Sequence, residues 1–478
     1  MESSAVFARV YALFKEISAI PRPSRHEGRI ADHICAFAEK HECAFVRDEY
    51  NNVLVTVKAT EGCEGRAPIL LQGHTDMVCE KNADTVHDFM KDGIVLCEKD
   101  GILSADGTTL GADNGVAVAI MLFVIEGGVP VHGEIECLFT ASEEVGLDGA
   151  KGFDYSRIRA RRMINLDGGS ETSCTVGCAG GVATDILFAP RYVKAEGTFF
   201  RISVRGLAGG HSGSCIHKGL GNAILLLSRL LAELYGTTPL YLVSFNGGDK
   251  DNAIPREAEV IISVEEKDAV LAVVNAFALD VRQELCQADA AFTLSCEEVA
   301  CDEGATMMDG MMTRALISFL SSVKNGVLAY SAALPSLVEY SRNTACVKTD
   351  GHGVRVTVSS RSAIERQLND AERELDILAS LCHAMTHHRD RYPGWAFAGK
   401  SEMADRYAAR AKALFGTEIT QRITHAGLEC GIIKGAIPDM DAISCGPDLF
   451  DLHTVTERMS LPSFARFATL ISSLLSEE

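Results

Sequence analysis

The stretch PILLQGHTDMV, residues 68–78, closes an apolar run at Gly73 and then places His74 and Asp76 one residue apart. Such a pair has two readings. It is a satisfied polar contact, or it is an imidazole metal ligand whose second ring nitrogen is oriented by the acid. In TTLGADNGVA, Asp113 stands at the entrance to an apolar segment, where it either caps a helix or ligates. In FTASEEVGLDGA, Glu143 and Glu144 are adjacent directly after another apolar run. Neighbouring carboxylates repel. A solvated loop relieves that repulsion, and so do two cations, with one Glu as ligand and its neighbour as general base. MINLDGG adds Asp167 and PDLFDLHTVTERM adds His453. Carboxylates and imidazoles recurring at the ends of four strands are difficult to explain as coincidence, and they suit a site that holds cations.

These side chains require a frame. PILLQ, EIECLFTA, RRMINL and MDAISCG each read as a buried strand with polar residues beyond it. Between the first two, DNGVAVAIMLFVIEGG opens on cap residues and continues as a buried helix. Strands alternating with helices predict an α/β fold with a mostly parallel sheet flanked by helices. Sites in such sheets gather beyond the carboxyl ends of the strands. From about residue 190 the pattern changes. The period-two strand FFRISVR, the helix GLGNAILLLSRLLAELYG, the strands LYLVSFN and EVIISV, and a helix over 268–286 form one set. A comparable order follows: AFTLSC, a helix over 311–323, LPSLVEYS, GVRVTVSSR and a long helix over 369–388. The reading is an inserted α+β lid domain of two similar halves, residues 186–392, within a catalytic domain built from 1–185 and 393–478.

The whole chain is compatible with that frame. Its 478 residues exceed one ordinary core. A formal net charge of −20 argues against nucleic acid held through a basic footprint. Carboxylates kept together to hold cations fit the same surplus. MESSAVFARVYALFKEISAI reads as an amphipathic helix and not as an export signal. The longest apolar stretch, 116–125, falls short of the roughly 20 residues that span a bilayer. Sixteen cysteines without a CxxC pair are expected as reduced thiols, and Cys174 with Cys178 lacks the partners of a structural zinc site. The expected compartment is the cytoplasm, with no membrane partner.

SAIPRPSRHE, LQGHTDMVCEKN, LSADGTTLGADNGVAVA, ASEEVGLDGA, GCAGG, GGHSG, DNAIPREA and HAGLECG occur in this order along nearly the whole chain. In these blocks the chain resembles the M20 metallopeptidases, and within them the aminoacyl-histidine (Xaa-His) dipeptidases. GHTDMVCEK and HAGLECG favour this group over carboxypeptidase and aminoacylase relatives. The resemblance implies a zinc-peptidase-like catalytic domain holding two zinc ions, with cobalt or manganese as substitutes. By the same resemblance His74, Asp113 and Asp167 bind one ion, and Asp113, Glu144 and His453 the other. Asp76 orients His74, a cis peptide precedes Asn114, and Glu143 is the general base acting on a bridging water. Three protein ligands per ion leave that water its position.

The lid brings further candidates. His211, on the Gly-rich turn GGHSG, is either packed or in contact with the substrate or its oxyanion. Asn252 in DNAIPREA and Arg361 in SSRS are weaker, since Arg361 could be only a solvated strand end; its fork of donors would suit a dipeptide carboxylate. In HAGLECG, His425 and Glu429 lie either in a packed loop or against a substrate amino group or histidyl ring. The chain departs from the family's habit with GGS after Asp167 and TV after His453, which touches substrate preference and removes no ligand. The expected function is hydrolysis of dipeptides, with Xaa-His preferred and a lid limiting substrate length. The alternatives are a related N-acyl-amino-acid hydrolase or tripeptidase, and a catalytically silent binding protein, against which the intact Glu143 argues. A homodimer is compatible with this reading.

Overall fold

The computed structural model describes residues 3–300, 304–332 and 334–477. Its contacts divide the chain into two units. The first comprises Met1–Cys178, Trp395–Ile423 and Leu428–Glu478, and the second Ala179–Gly394 with Thr424–Gly427. The break expected at residue 185 would cut the strand Gly180–Phe188. That strand pairs along its length with Gly353–Ser362 and also with Met385–Tyr392, which draws residues 179–185 into the second unit. Residues 393–394 and 424–427 also join it, so His425 leaves the catalytic unit in which the sequence had placed it.

The first unit is built on an eight-stranded sheet. Its order is Ala44–Arg47, Val53–Val57, Ile135–Thr140, Ile69–His74, Arg162–Asn165, Asp441–Ser444, Ser173–Cys178 and Thr420–Thr424. The middle four strands are parallel. Antiparallel pairs flank them, so the parallel part is a central block in a mixed sheet. Ile69–His74 and Ile135–Thr140 are buried at every position. Central strands covered on both faces read as unbroken apolar runs for this reason. The helix Ala112–Ile125 is buried at every residue but Asp113. A Cβ on Gly73 would lie 2.3 Å from both Ala117 Cβ and Asn114 Oδ1, so only glycine lets this strand and helix close together.

A small four-stranded sheet completes the first unit: Leu449–Phe450, Arg458–Ser460, Ile102–Ala105 and Leu96–Lys99. It turns residues 451–457 into the loop of a hairpin, because Phe450 pairs with Arg458.

The second unit carries a nine-stranded sheet, antiparallel between its neighbours. Its two halves meet at the single register pair Gly247 and Val347. Two expectations are corrected here. Thr293–Val299, the AFTLSC segment, pairs with Thr198–Arg205 and so belongs to the first half. The long helix is Glu365–Leu381 and does not reach His388. His383 takes a left-handed φ of 56°, and Met385–Tyr392 continues as a strand against Gly180–Phe188. THHRDR offers no apolar stripe for a helix to bury, whereas a strand needs only its backbone partners.

No helix among the described residues is long and apolar enough to cross a membrane. The described cysteines are free thiols.

Candidate metal centre

Five chain segments bring the acidic and imidazole groups together, three of them from one end of the parallel block. His74 is the last residue of its strand, Glu143 follows Thr140 by three residues, and Asp167 follows Asn165 by two. Asp113 sits in the first turn of the buried helix with non-helical angles, and its peptide bond to Asn114 is cis. His453 arrives from the hairpin loop, so it reaches the cluster through the small sheet and not from the end of Asp441–Ser444.

Asp113 is the hub. Its Oδ1 lies 3.0 Å from His74 Nε2, and its Oδ2 lies 3.3 Å from His453 Nε2. Asp167 Oδ1 is 3.6 Å from His74 Nε2, and Glu144 Oε1 is 3.1 Å from His453 Nε2. Three sets of ligand atoms each lie within 4.8 Å of one another: His74, Asp113 and Asp167; Asp113, Glu144 and His453; and His74, Glu143 and Glu144. The first two share Asp113. A carboxylate with one oxygen toward each set is what two neighbouring cations require.

Asp76 stands behind the cluster, fully buried. Its Oδ1 lies 3.3 Å from His74 Nδ1 and accepts the Glu143 N–H at 3.0 Å. Its Oδ2 accepts from the Glu144 N–H and the Ser24 hydroxyl. One carboxylate thus sets both the ring of His74 and the backbone of the two glutamates.

The electrostatics reveal a shortage of positive charge. Burial pushes the Glu143 carboxyl well above its ordinary range, and the charges of Asp167, Glu144 and Glu429 add to the rise. Burial and the Asp113 charge carry Asp167 up to about 8. His74 goes the other way. Burial would neutralise it, yet Asp113, Asp167 and Asp76 outweigh burial and hold the ring protonated. Hydrogen bonds to Asp113 and Glu144 push His453 up to about 11. Asp113 stays ionised against its burial because both imidazolium rings face it. The cluster balances its carboxylates by collecting protons on the groups that would ligate a metal. Two divalent cations would do so without them, and oxygen with imidazole donors suits zinc, cobalt or manganese.

Several supporting residues escaped the sequence reading. Arg22, 2% exposed, donates to the carbonyls of Thr75, Asp76 and Gly111. Glu27 accepts from the N–H and hydroxyl of Ser142, steadying the turn before Glu143. Glu457 accepts from the backbone at the start of the buried helix, so the capping that Asp113 was equally suited to supply comes from elsewhere. Gln72, a polar residue inside an apolar strand, was a visible signal. It donates to Glu429 Oε2 at 2.5 Å and receives a hydrogen bond from Asn165. Glu429 is 1% exposed and also accepts from Thr140. Its other oxygen has no hydrogen-bond partner among the described residues, and burial lifts its carboxyl to about 7.

The remaining candidates belong to the second unit. His211 Nδ1 accepts from the N–H groups of Gly213 and Ser214, which puts the ring proton on Nε2. The Asn252 carbonyl accepts from the Ser212 N–H, and His211 pairs with Ala253, so Asn252 lies beside His211 at the end of one pair of short strands. Arg361, 8% exposed, donates to the Tyr392 hydroxyl at 3.0 Å, while its buried Nε has no hydrogen-bond partner among the described residues. His425 Nε2 lies 2.7 Å from Ser341 Oγ. Burial lowers the His425 ring to about 4, and the positive charges of Arg361, His211 and His217 push the same way.

Comparison with known proteins places these features in a wider set. Residues 202–285 match the peptidase dimerisation domain family. The chain is 37% identical over 472 residues to the cytosol non-specific dipeptidase of Escherichia coli K12, spanning 98% of this chain and 97% of that one. Among solved structures it is similar to the aminoacylhistidine dipeptidase from Vibrio alginolyticus. The identity there is 33%, the TM-score 0.86, and the coverage 98% of this chain and 96% of that one. The aminopeptidase PepT from Bacillus cereus, 17% identical with 98% of both chains covered and a TM-score of 0.56, shares the fold.

Proposed function

Because the chain belongs to the M20 family of metallopeptidases, in the branch of the aminoacylhistidine dipeptidases, we propose that it is a cytoplasmic two-metal dipeptidase that prefers Xaa-His substrates. The observation that carries this reading is the pair of three-ligand sets sharing Asp113. His74, Asp113 and Asp167 would hold one zinc ion, and Asp113, Glu144 and His453 the other, with cobalt or manganese able to replace zinc. When bound, the two cations supply polarisation of the scissile carbonyl and acidify the attacking water.

The chain's own groups do the rest. Asp76 fixes the His74 ring and aligns the backbone of Glu143. Glu143 is the general base: its carboxylate takes the proton of the attacking water and returns it to the nitrogen of the leaving amine.

In the second unit Arg361 is assigned to the dipeptide carboxylate, with a fork of donors and a buried Nε that has no acceptor among the described residues. His211, protonated on Nε2, is a donor for the substrate carbonyl oxygen, and Asn252 and His425 complete the polar contacts. Glu429 offers its unpartnered oxygen to the substrate ammonium group. The match of residues 202–285 to a dimerisation domain supports a homodimer, which light scattering would measure.

The decisive experiment is hydrolysis of a panel by the metal-loaded protein: Xaa-His, other dipeptides, tripeptides and N-acetyl amino acids. Dipeptides should be cleaved, with Xaa-His fastest. Cleavage of N-acetyl amino acids or tripeptides in preference would move the chain to a neighbouring activity, and no dipeptide cleavage would refute the reading.

A further inference from the structure

The metal-ligating residues come from chain segments far apart in sequence, and two buried charged side chains meet on the backbone that joins them. Gly111 is the meeting point. Its N–H donates to Glu457 Oε2 at 3.0 Å, and its carbonyl accepts from Arg22 Nη2 at 2.5 Å. The same Arg22 donates through Nη1 to the carbonyls of Thr75 and Asp76 at 3.0 and 3.1 Å. Arg22 therefore ties the His74 strand end to the turn before Asp113.

Glu457 ties that turn to the His453 loop. Its two oxygens accept from four consecutive N–H groups: Leu110 at 2.8 Å, Gly111 at 3.0 Å, Ala112 at 2.9 Å and Asp113 at 3.4 Å. The first N–H groups of a helix have no partner within it, and a carboxylate from more than three hundred residues away takes this role here. Glu457 is 2% exposed, and its own N–H donates to the Thr454 carbonyl, closing the loop that carries His453. The His453 side chain, by contrast, is 50% exposed and stands on a residue with a φ of 61°. Gly111 admits no replacement at the crossing point: its φ is 69°, and a Cβ would lie 2.6 Å from Arg22 Nη2.

We propose that Glu457 is a positioning residue that couples the two halves of the metal centre, holding the His453 loop against the Asp113 backbone so that Asp113 can bridge. It touches neither ion nor substrate. The inference rests on the two-metal reading above. Asp113 keeps other anchors when Glu457 is removed, through Arg22 on Gly111 and through Asn114 Nδ2, which donates to the Leu166 carbonyl. The His453 loop loses its buried anchor. The set of Asp113, Glu144 and His453 should therefore weaken, and that of His74, Asp113 and Asp167 should not.

The test is titration of metal-free protein with Zn2+ by calorimetry and with Co2+ by visible absorption, on wild type, Glu457→Gln and Glu457→Asp. Gln turns an NH2 group toward backbone donors, and Asp keeps the charge with a shorter reach. Wild type should bind two ions per chain. Glu457→Gln should keep one ion unchanged and lose about tenfold to a hundredfold in affinity for the other, with Glu457→Asp between them. Equal weakening of both ions, or no weakening of either, overturns the coupling role, as does failure of both variants to melt cooperatively. Wild type that binds fewer than two ions refutes the metal reading itself, which is a different result.

Discussion

The acidic cluster of the first unit and the basic cluster of the second are opposites in charge, and each departs from what a folded interior prefers. Around Asp113 the carboxylates outnumber the imidazoles, and protons gather on His74 and His453 to compensate. Around His425 burial, with the positive charge of Arg361 acting the same way, drives the ring neutral, to about 4. Buried charge without a partner costs free energy that a stable fold would otherwise avoid. In the proposed function the two excesses call for different ligands: cations would complete the first, and an anion such as a dipeptide carboxylate the second.

Chelation tests the first half of that contrast and has the largest expected effect. A strong chelator should abolish turnover and lower the melting temperature. Ions at a thousand times their Kd stabilise by about 4 kcal/mol per site. Re-addition of Zn2+ should restore both, and a melting temperature indifferent to chelation would mean the carboxylates need no cation.

Glu143→Gln separates chemistry from binding within the same cluster. Turnover should fall by roughly 10²- to 10⁴-fold, while metal content measured by elemental analysis stays at the wild-type level. Turnover near wild type would remove Glu143 from the mechanism.

The second cluster is probed by Arg361→Ala. Loss of a charge-assisted hydrogen bond of about 1.5–3 kcal/mol should raise KM by roughly 10- to 100-fold with a smaller change in kcat. C-terminally amidated dipeptides sharpen the assignment. Wild type should discriminate against them and the variant should not, and equal discrimination by both would place the carboxylate elsewhere.

The smallest effect concerns Glu429, the buried acid bonded to Gln72 and Thr140. Its folded value of about 7 lies above the ordinary 4.5, so the folded state binds the proton more tightly than the unfolded one. Its contribution to stability is present below about pH 4.5 and is lost as pH rises through 7. At about 1.4 kcal/mol for each pH unit, the cost is at most about 3.5 kcal/mol. Metal-free Glu429→Gln should therefore melt above wild type near pH 8.5, and the gap should close near pH 4. A gap that persists in acid would point to a packing effect instead.

Much of this was legible in the amino-acid order, for a local reason. A central parallel strand is apolar throughout, so the first polar residues after it announce the strand's end, and sites in such sheets form there. His74, Glu143, Glu144 and Asp167 could be named in that way, and the structure gathers them with Asp113 and His453. Their roles as ligands and base remain proposals that the experiments above address. The long helix misread to His388 shows the limit of the same logic. An amphipathic pattern shows where a helix can begin, but the strand Gly180–Phe188 decides where Met385–Tyr392 must go.

Other features could be settled only by the folded chain. Glu457 looked like one acid in HTVTERM, and Arg22 like one cation between two prolines. Nothing within a few residues of either signals that both would be buried on the backbone of Gly111. Glu429 and His425, four residues apart, fall into different units, one behind a carboxylate cluster and the other beside a guanidinium. Strand ends and helix stripes follow from side chains close in sequence, because hydrophobic periodicity and capping act over a turn or a strand. The partners of a buried charge are set by which distant backbone groups lack a hydrogen bond, and only tertiary packing decides that.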